Sequence, residues 1–255
     1  MDPVTVDFIS YKKSIKSCLD AINAPEHLAR QKAIMIKPNL VNSSPHPITT
    51  APECCESIIE YIQNCSKAKI VIAEGCGAAD QETAEVFEIL GYRILADKFD
   101  IPLIDLNHEP LILRKNRDCP VFPEMYLPKI GFSHYVISVP VLKVHSLSGI
   151  TGTLKNMMGF APPQFYSGGY NTWKKALFHN KMQQSIADLN RYLIPDLSIM
   201  DCSTGMAEFH LGGARCDPPV SKIIAGYNPW KVDRRAAELL GLDWHNIEHI
   251  AAIAE

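Results

Sequence analysis

Two spacings of apolar residues alternate along this chain. Val4–Ile9 alternates apolar and polar positions, as a half-buried strand does. Within Lys12–Ile22, residues Ile15, Cys18, Leu19 and Ile22 fall on one helical face. Short continuous apolar runs, the pattern of strands buried on both faces, follow at Ala33–Ile36, Lys69–Ala73 and Tyr135–Val139. Pro38 and Pro140 close the first and last of these runs, because proline cannot donate to a ladder. Pro102–Leu106, Leu197–Met200 and Lys222–Ala225 read as further strands.

Helical spacing fills the intervals. A helix is predicted from Thr50, where Thr50 and Glu53 have the spacing of a capping box, through Ile58, Ile59 and Ile62. Others are predicted at Asp80–Leu90, stopped by Gly91, at Thr153–Met158, at Lys174–Tyr192, and at Val232–Leu240, ended by Gly241. Leu111–Arg114 and Met125–Leu127 read as a hairpin. The sum is an α/β fold with a mainly parallel mixed sheet flanked by helices and a small β-hairpin excursion near 110–128. No linker-like stretch interrupts it, so residues 1–255 are expected to form one domain; a two-lobed arrangement would divide near 107–133. Ile34–Leu40 and Ile137–Lys143 share a plan, an apolar strand ending at proline with lysine at the exit. That is either an old duplication or simply how two buried strands end.

Composition acts mainly by exclusion. A chain that is 47% hydrophobic and 21% charged is not disordered. Its 25 basic and 28 acidic residues are scattered and give a net charge of −3, so no footprint for nucleic acid or an anionic membrane exists. No run reaches the ~18 apolar residues of a membrane span. The start, Met1-Asp2-Pro3-Val4, lacks the plan of a signal peptide, which leads us to expect a cytoplasmic protein. The eight cysteines contain no C-x-x-C pair, so a zinc ribbon, a secreted disulfide framework and a complete run of iron–sulfur ligands are not expected.

Ligands of open α/β sheets bind beyond the carboxyl ends of the strands. Four predicted exits carry polar residues there: Lys37-Pro38-Asn39, Glu74-Gly75-Cys76-Gly77, Lys143-Val144-His145 and Asp201-Cys202-Ser203. Exit lysines suit an anionic ligand. The densest segment is Pro140–Gly159, where Lys143, His145, Ser146, Ser148, Thr151, Lys155 and Asn156 surround Gly149 and Gly152. Those glycines allow tight turns and close backbone approach, and Thr151 or Thr153 is placed to cap a short helix whose positive end would face an anion. Gly75 and Gly77 offer a second candidate turn for a phosphate, while His179 and the His210-Leu211-Gly212-Gly213 stretch are ambiguous alone. Walker A, full G-x-G-x-x-G, H-E-x-x-H and G-x-S-x-G motifs are all absent. Residues 160–172, with Pro162-Pro163 at one end, Gly168-Gly169 at the other and aromatics between, read either as a lid over the ligand or as a surface loop packed on the core.

A set of segments in fixed order completes the reading: KPNL at 37–40, the Thr-Thr-Ala-Pro helix start, IAEGCG at 72–77, VPVLKVH at 139–145, TGTLKNMMG at 151–159, His179 before IADLNRYLIPDLSIMD at 186–201, and NPWKVDRRAAELLG at 228–241. Together they resemble, over nearly the whole chain, the prokaryotic family called domain of unknown function 362, in a form without the ferredoxin-like module that some members carry. The spacing of His145, Gly149, Gly152 and Lys155 is also similar to the His–Gly–Gly–Lys segment of nickel-pincer lactate racemases. That similarity implies His145 as the proton-transfer residue, Lys155 as the anchor of a nicotinate-derived cofactor and His179 as a nickel ligand. It also has a gap: the racemases place a second acid–base histidine after an earlier strand, where this chain has Glu74-Gly75-Cys76-Gly77.

The expectation is therefore an enzyme with one cleft lined by Lys37, Asn39, His145, Lys155, Asn156 and His179. It would take an anionic small molecule, or nickel or another metal with a nucleotide-like cofactor, with Lys143, Gly75, Gly77, Gly149 and Gly152 as further cofactor contacts. The alternative is a non-catalytic scaffold that docks a ferredoxin-type iron–sulfur partner through Cys54, Cys55, Cys65 and Cys76.

Overall fold

A computed structural model describes residues 2–169 and 173–254. The chain enters through strand β1 (Val4–Asp7), helices α1 (Tyr11–Ala21) and α2 (Ala24–Ala29), strand β2 (Ala33–Pro38), helix α3 (Pro52–Cys65) and strand β3 (Lys69–Glu74). Helices α4 (Thr83–Ile89) and α5 (Tyr92–Phe99) lead to β4 (Leu103–Asp105) and to a hairpin of β5 (Leu111–Lys115) and β6 (Glu124–Pro128). Next come β7 (Tyr135–Val139), β8 (Val141–His145), β9 (Gly149–Thr151) and the short helices α6 (Thr153–Asn156) and α7 (Pro163–Tyr166). Helix α8 (Met182–Tyr192), strands β10 (Leu197–Met206) and β11 (Lys222–Gly226), and helices α9 (Pro229–Leu239) and α10 (Glu248–Ala254) complete the chain.

Nine strands share one sheet in the order β1-β11-β10-β7-β2-β3-β4, with β8 added beside β10 and β9 beside β8. The pairs from β10 to β4 are parallel, and β11 and β1 add an antiparallel edge. Because successive strand residues point to opposite faces, the apolar runs serve two cores at once. Ile34, Ile36, Ile70, Ile72, Ile137 and Val139 pack beneath α1–α5. Met35, Val71, Val136 and Met200 face the other way, against α6, α8, α9, α10 and the hairpin residues Met125 and Leu127. Each fully buried aliphatic side chain contributes about 2 kcal/mol. Among the described residues no helix is long and apolar enough to cross a membrane.

The α/β class, the mixed parallel sheet and the hairpin agree with the apolar spacing. Several local expectations do not. Thr50 caps no helix: α3 starts one residue later, from Ala51, with no side-chain cap. The Thr50 hydroxyl instead donates to the Val139 carbonyl at 2.7 Å and accepts from the Asn39 amide at 2.9 Å, tying the ends of β2 and β7 together. Beyond Pro140 the chain does not turn to loop; it resumes as β8, which pairs with the outer half of β10. Lys143 and His145 interrupt the apolar run and hide that strand in the sequence. Strand β10 runs on to Met206, so Asp201-Cys202-Ser203 is strand interior rather than an exit. The helix expected from Lys174 begins as α8 at Met182, after a 3-10 segment over Ala176–Lys181.

Neither Thr151 nor Thr153 caps α6, and its positive end does not face a ligand. The N-cap is Gly152, and the Asp233 carboxylate of α9 accepts from the Thr153 amide at 2.6 Å and the Leu154 amide at 2.9 Å. Asp233 thus closes that helix end from inside the protein, burial pushing its carboxyl up to about 7 against the two amide bonds. Gly152 is required by this contact, since a Cβ there would lie 2.4 Å from Asp233 Oδ1. Asp233→Ala orphans two buried amides and is expected to lower unfolding free energy by about 2 kcal/mol. Asp233→Asn, which keeps one acceptor, should lose less; urea denaturation measures both, and equal stability of Asp233→Ala with the parent would contradict the cap.

Candidate functional site

The strand exits β2, β3 and β8 open into a cleft of roughly 640 Å³, part of it solvent. Asn39, Gly75, Gly77, His145, Lys155, Asn156 and His179 line it, so seven of the sequence-derived candidates meet at one place. Glu74, Thr151, Gly159, Trp173, Lys175 and His210 line it as well. Lys37 lies directly beneath. Lys143, Gly149 and Gly152 do not line the cleft. Gly149 makes the tight turn from β8 to β9 at φ +73°, and Gly152 receives Asp233.

The floor is an ion pair. Lys37 Nζ donates to both Glu74 oxygens, at 2.8 and 3.0 Å, and to Asn156 Oδ1 at 3.2 Å. Glu74 also accepts from the Leu40 amide at 3.0 Å and the Gly75 amide at 2.8 Å, so one carboxylate fixes two strand exits. Asn156 answers from α6 by donating to the Lys37 carbonyl and the Ser138 hydroxyl. Burial pulls the Lys37 amine below its ordinary pKa, and the Glu74 charge pulls against it. Gly159 sits on this pair so closely that a Cβ would come within 2.0 Å of Glu74 Oε1 and 2.6 Å of Lys37 Nζ.

Three further lysines lie around this floor. Lys143 is buried, with its amine between Asn39 Oδ1 at 2.6 Å and the Ile48 carbonyl at 2.5 Å; burial first, and Lys155 next, bring it down to about 7. The Lys155 amine has no hydrogen bond to any described residue, and burial lowers it to about 8. Lys175 donates to Asn107 Oδ1 and is lowered to about 7, again mainly by burial. Glu74 is the one acidic residue among the lining side chains, and Lys37 already engages it.

Three imidazoles complete the wall. His145 and His210 stack, with ring centroids 3.8 Å apart and planes 19° from parallel. His145 Nδ1 accepts from the Leu147 and Ser148 amides at 3.1 and 3.3 Å. Amide nitrogens only donate, so the neutral ring carries its proton on Nε2. Burial, and then Lys155, hold its pKa well below the ordinary histidine value. Burial and Lys155 likewise bring His210 down to about 3 and lower His179. Thr151 Oγ1, His179 Nδ1 and His210 Nδ1 are buried without a partner among the described residues. Buried polar atoms are normally satisfied, so three orphans on one wall mark a place for polar ligand atoms.

Sequence spacing missed Lys175, Trp173 and Asn107. Trp173 bridges to Ala78, and the Lys174 amide donates to the Gly77 carbonyl at 2.8 Å, which pins this stretch beside the second strand exit. Its only sequence signal was a basic pair following the expected lid. Gly77 therefore serves chain packing, and the Gly75–Gly77 turn seats no phosphate on a helix, because α4 begins only at Thr83. In the expected lid, Phe165 stacks on Tyr126 at 4.1 Å and Tyr166 packs on Phe122 and Phe178, as surface-loop aromatics do. Its residues Tyr170, Asn171 and Thr172 lie outside the described residues. Cys54, Cys55 and Cys76 are buried and Cys65 is half-buried; among the described residues no three cysteines come within reach of one metal.

Fold and site together define an α/β protein with a cleft lined by lysines and histidines at the carboxyl ends of its parallel strands. The chain belongs to the family described as Domain of unknown function (DUF362), whose profile matches residues 34–238. No curated protein matches it. Among solved structures it is similar to the lactate racemase apoprotein from Thermoanaerobacterium thermosaccharolyticum, at 14% identity and a TM-score of 0.54, over 92% of this chain and 56% of that one. It is similar too to a Thermotoga maritima protein, at 10% identity and a TM-score of 0.54, over 94% of this chain and 61% of that one. The chain thus spans less than two thirds of either neighbour, and at these identities the likeness is one of fold.

Two measurements check the site's physics. Glu74→Ala leaves Lys37 buried without its counter-ion and is expected to cost about 4 kcal/mol of stability. A loss below about 1 kcal/mol would show that the pair does not organise the floor. In ¹⁵N-histidine spectra, His145 is expected to remain the neutral Nε2–H tautomer down to about pH 5, because its pKa is depressed from the ordinary ~6.5. An imidazolium signal for His145 near pH 6.5 would contradict the two amide bonds to Nδ1.

Proposed function

We propose that this chain is an enzyme that binds an anionic small molecule in the cleft and directs proton-transfer chemistry at it. The observation that carries the reading is the make-up of the wall: the amines of Lys155 and Lys175 and the imidazoles of His145, His179 and His210 supply hydrogen-bonding groups, and the one lining carboxylate is already held by Lys37. Burial favours loss of the protons on the Lys155 and Lys175 amines. An incoming carboxylate or phosphate reverses that loss.

Lys155, with no described partner, takes the anionic group. The proton role expected for His145 is narrowed by its tautomer: Nδ1 is occupied, so the neutral ring acts on the ligand from Nε2–H. It stabilises negative charge developing on a ligand oxygen, as a neutral imidazole does better than water in a buried site. Movement of a proton to and from a ring nitrogen falls to His179 or His210, whose Nδ1 atoms are unengaged by described residues. The stack holds His145 and His210 on one side of the cleft, so His210 does not restore a pair of bases on opposite faces of a substrate. Two-base racemisation is therefore not part of the reading.

The residues fit the nickel-pincer cofactor implied by the sequence resemblance to a limited degree. Lys155 would hold its anchoring group, and the orphaned His179 Nδ1 would ligate the metal, an imidazole donor suited to nickel. Such a group, when bound, would supply an electron-accepting centre. Among the described residues no third protein ligand gathers at His179, so further ligands would come from the cofactor itself. No observation favours docking of an iron–sulfur partner through the cysteines.

Binding is tested with a panel of small carboxylates and phosphates by thermal shift and calorimetry. At least one anion is expected to raise the melting temperature, and Lys155→Ala to abolish that rise. Affinity should fall from about pH 7 to about pH 9 as Lys155, whose pKa lies near 8, loses its proton. Anion binding that ignores both Lys155 and pH would overturn the reading.

A further inference from the structure

The buried lysines around the cleft differ in what receives their protons. Lys37 has the Glu74 carboxylate, and Lys143 is enclosed between two acceptors away from the cleft. Lys175 lines the cleft and, among the described residues, donates only to the neutral amide oxygen of Asn107. That oxygen is held in place by a chain of bonds. Asn107 Nδ2 donates to the Cys76 carbonyl at 3.2 Å and to Thr83 Oγ1 at 3.3 Å, which turns Oδ1 towards Lys175. The Thr83 hydroxyl donates to Asp105 Oδ1 at 2.8 Å, and the same oxygen accepts the Asn107 amide at 2.9 Å. Gly75 leaves room for the arrangement, since a Cβ there would lie 2.7 Å from Asn107 Oδ1.

A carboxylate partner would keep the amine an ammonium. An amide accepts one hydrogen and leaves the nitrogen lone pair free when the amine is neutral. Burial and the nearby Lys37 charge favour that neutral form, Glu74, Cys76 and Asp105 oppose it, and the balance lies at about 7. A desolvated lysine held this way is the amine type that adds to carbonyl carbon.

We propose that Lys175 is a nucleophile that forms an imine with the carbonyl carbon of an anionic aldehyde or 2-oxo acid bound in the cleft. The Lys175 nitrogen adds its lone pair to that carbon as the carbonyl C–O π bond opens onto oxygen. The oxygen takes up two protons, both supplied in net terms by the amine nitrogen, and departs as water. One C=N bond replaces one C=O bond, with no change of oxidation state. Lys155 receives the anionic group, a placement that rests on the function proposed above.

The test uses the full chain at about pH 7.5 with two aldehydes, each followed by hydride reduction and peptide mass mapping: pyridoxal 5′-phosphate, which is anionic, and formaldehyde, which is not. With both, Lys175 should be modified at least about tenfold faster than exposed Lys13, since each unit of pKa changes the neutral fraction about tenfold. Fast formaldehyde labelling with slow pyridoxal phosphate labelling would support the nucleophile while removing the anion-binding reading. Labelling by pyridoxal phosphate alone would mean that anion capture drives the reaction, and would overturn the inference. Lys175 labelling no faster than Lys13 with either reagent would overturn it also. Asn107→Asp, which sets a carboxylate beside the amine, should slow formaldehyde labelling about tenfold in a folded protein; an unchanged rate would count against the role given to Asn107.

Discussion

The Lys37–Glu74 pair is the contact on which the rest of the cleft depends. It joins the carboxyl ends of two adjacent parallel strands below the surface, where neither charge would be tolerated alone. Glu74 spends its remaining capacity on the amides of Leu40 and Gly75, and Lys37 reaches Asn156. Strand exits, loop starts and helix α6 are therefore fixed to one another by a single set of bonds. Gly159 completes the set by bringing backbone onto the pair where any side chain would collide. A buried pair of this kind gives little net stability, but it specifies one arrangement of the three elements that carry the site.

With its floor neutralised internally, the cleft keeps two lysine amines and three imidazoles in its wall and no further lining carboxylate. Burial is the first cause that lowers the pKa values of Lys155, Lys175 and the histidines, and the Lys155 charge adds to it at the histidines. The fold removes other counter-charges that would relieve this. The Asp233 carboxylate is spent on the start of α6, and Asp201 is engaged beneath the neighbouring strand by Tyr11, with His46 3.1 Å away. Two amines with little counter-charge, and unsatisfied imidazole and hydroxyl atoms beside them, leave hydrogen-bonding capacity for polar ligand atoms.

Much of this was legible in the sequence and some of it was not, and the division has a physical basis. Strands buried on both faces must be continuously apolar, so β2, β3 and β7 announce themselves, as do the helices that alternate with them. Strand-exit chemistry follows from that, which is how Lys37, Asn39 and His145 were nameable; Lys155 and Asn156 stood out in the glycine-rich segment that follows, and His179 only through the resemblance. Strand β8 was hidden because the residues that make it useful, Lys143 and His145, break the apolar pattern. The capping box at Thr50 was a correct spacing with a different partner, since a hydroxyl bonds whatever the tertiary fold brings near.

What the sequence determined by itself was the class of fold, the order of its most apolar strands and helices and the polar ends of β2 and β3, because periodicity and proline act locally. Only the tertiary structure decided how these ends are used. It paired Lys37 with Glu74, gave Asp233 rather than a ligand to the start of α6, stacked His210 on His145, and brought Lys175 to the cleft against a neutral amide. Each of these is a contact between residues far apart in the chain, and its chemistry depends on burial and on the identity of the facing atom, neither of which local spacing encodes.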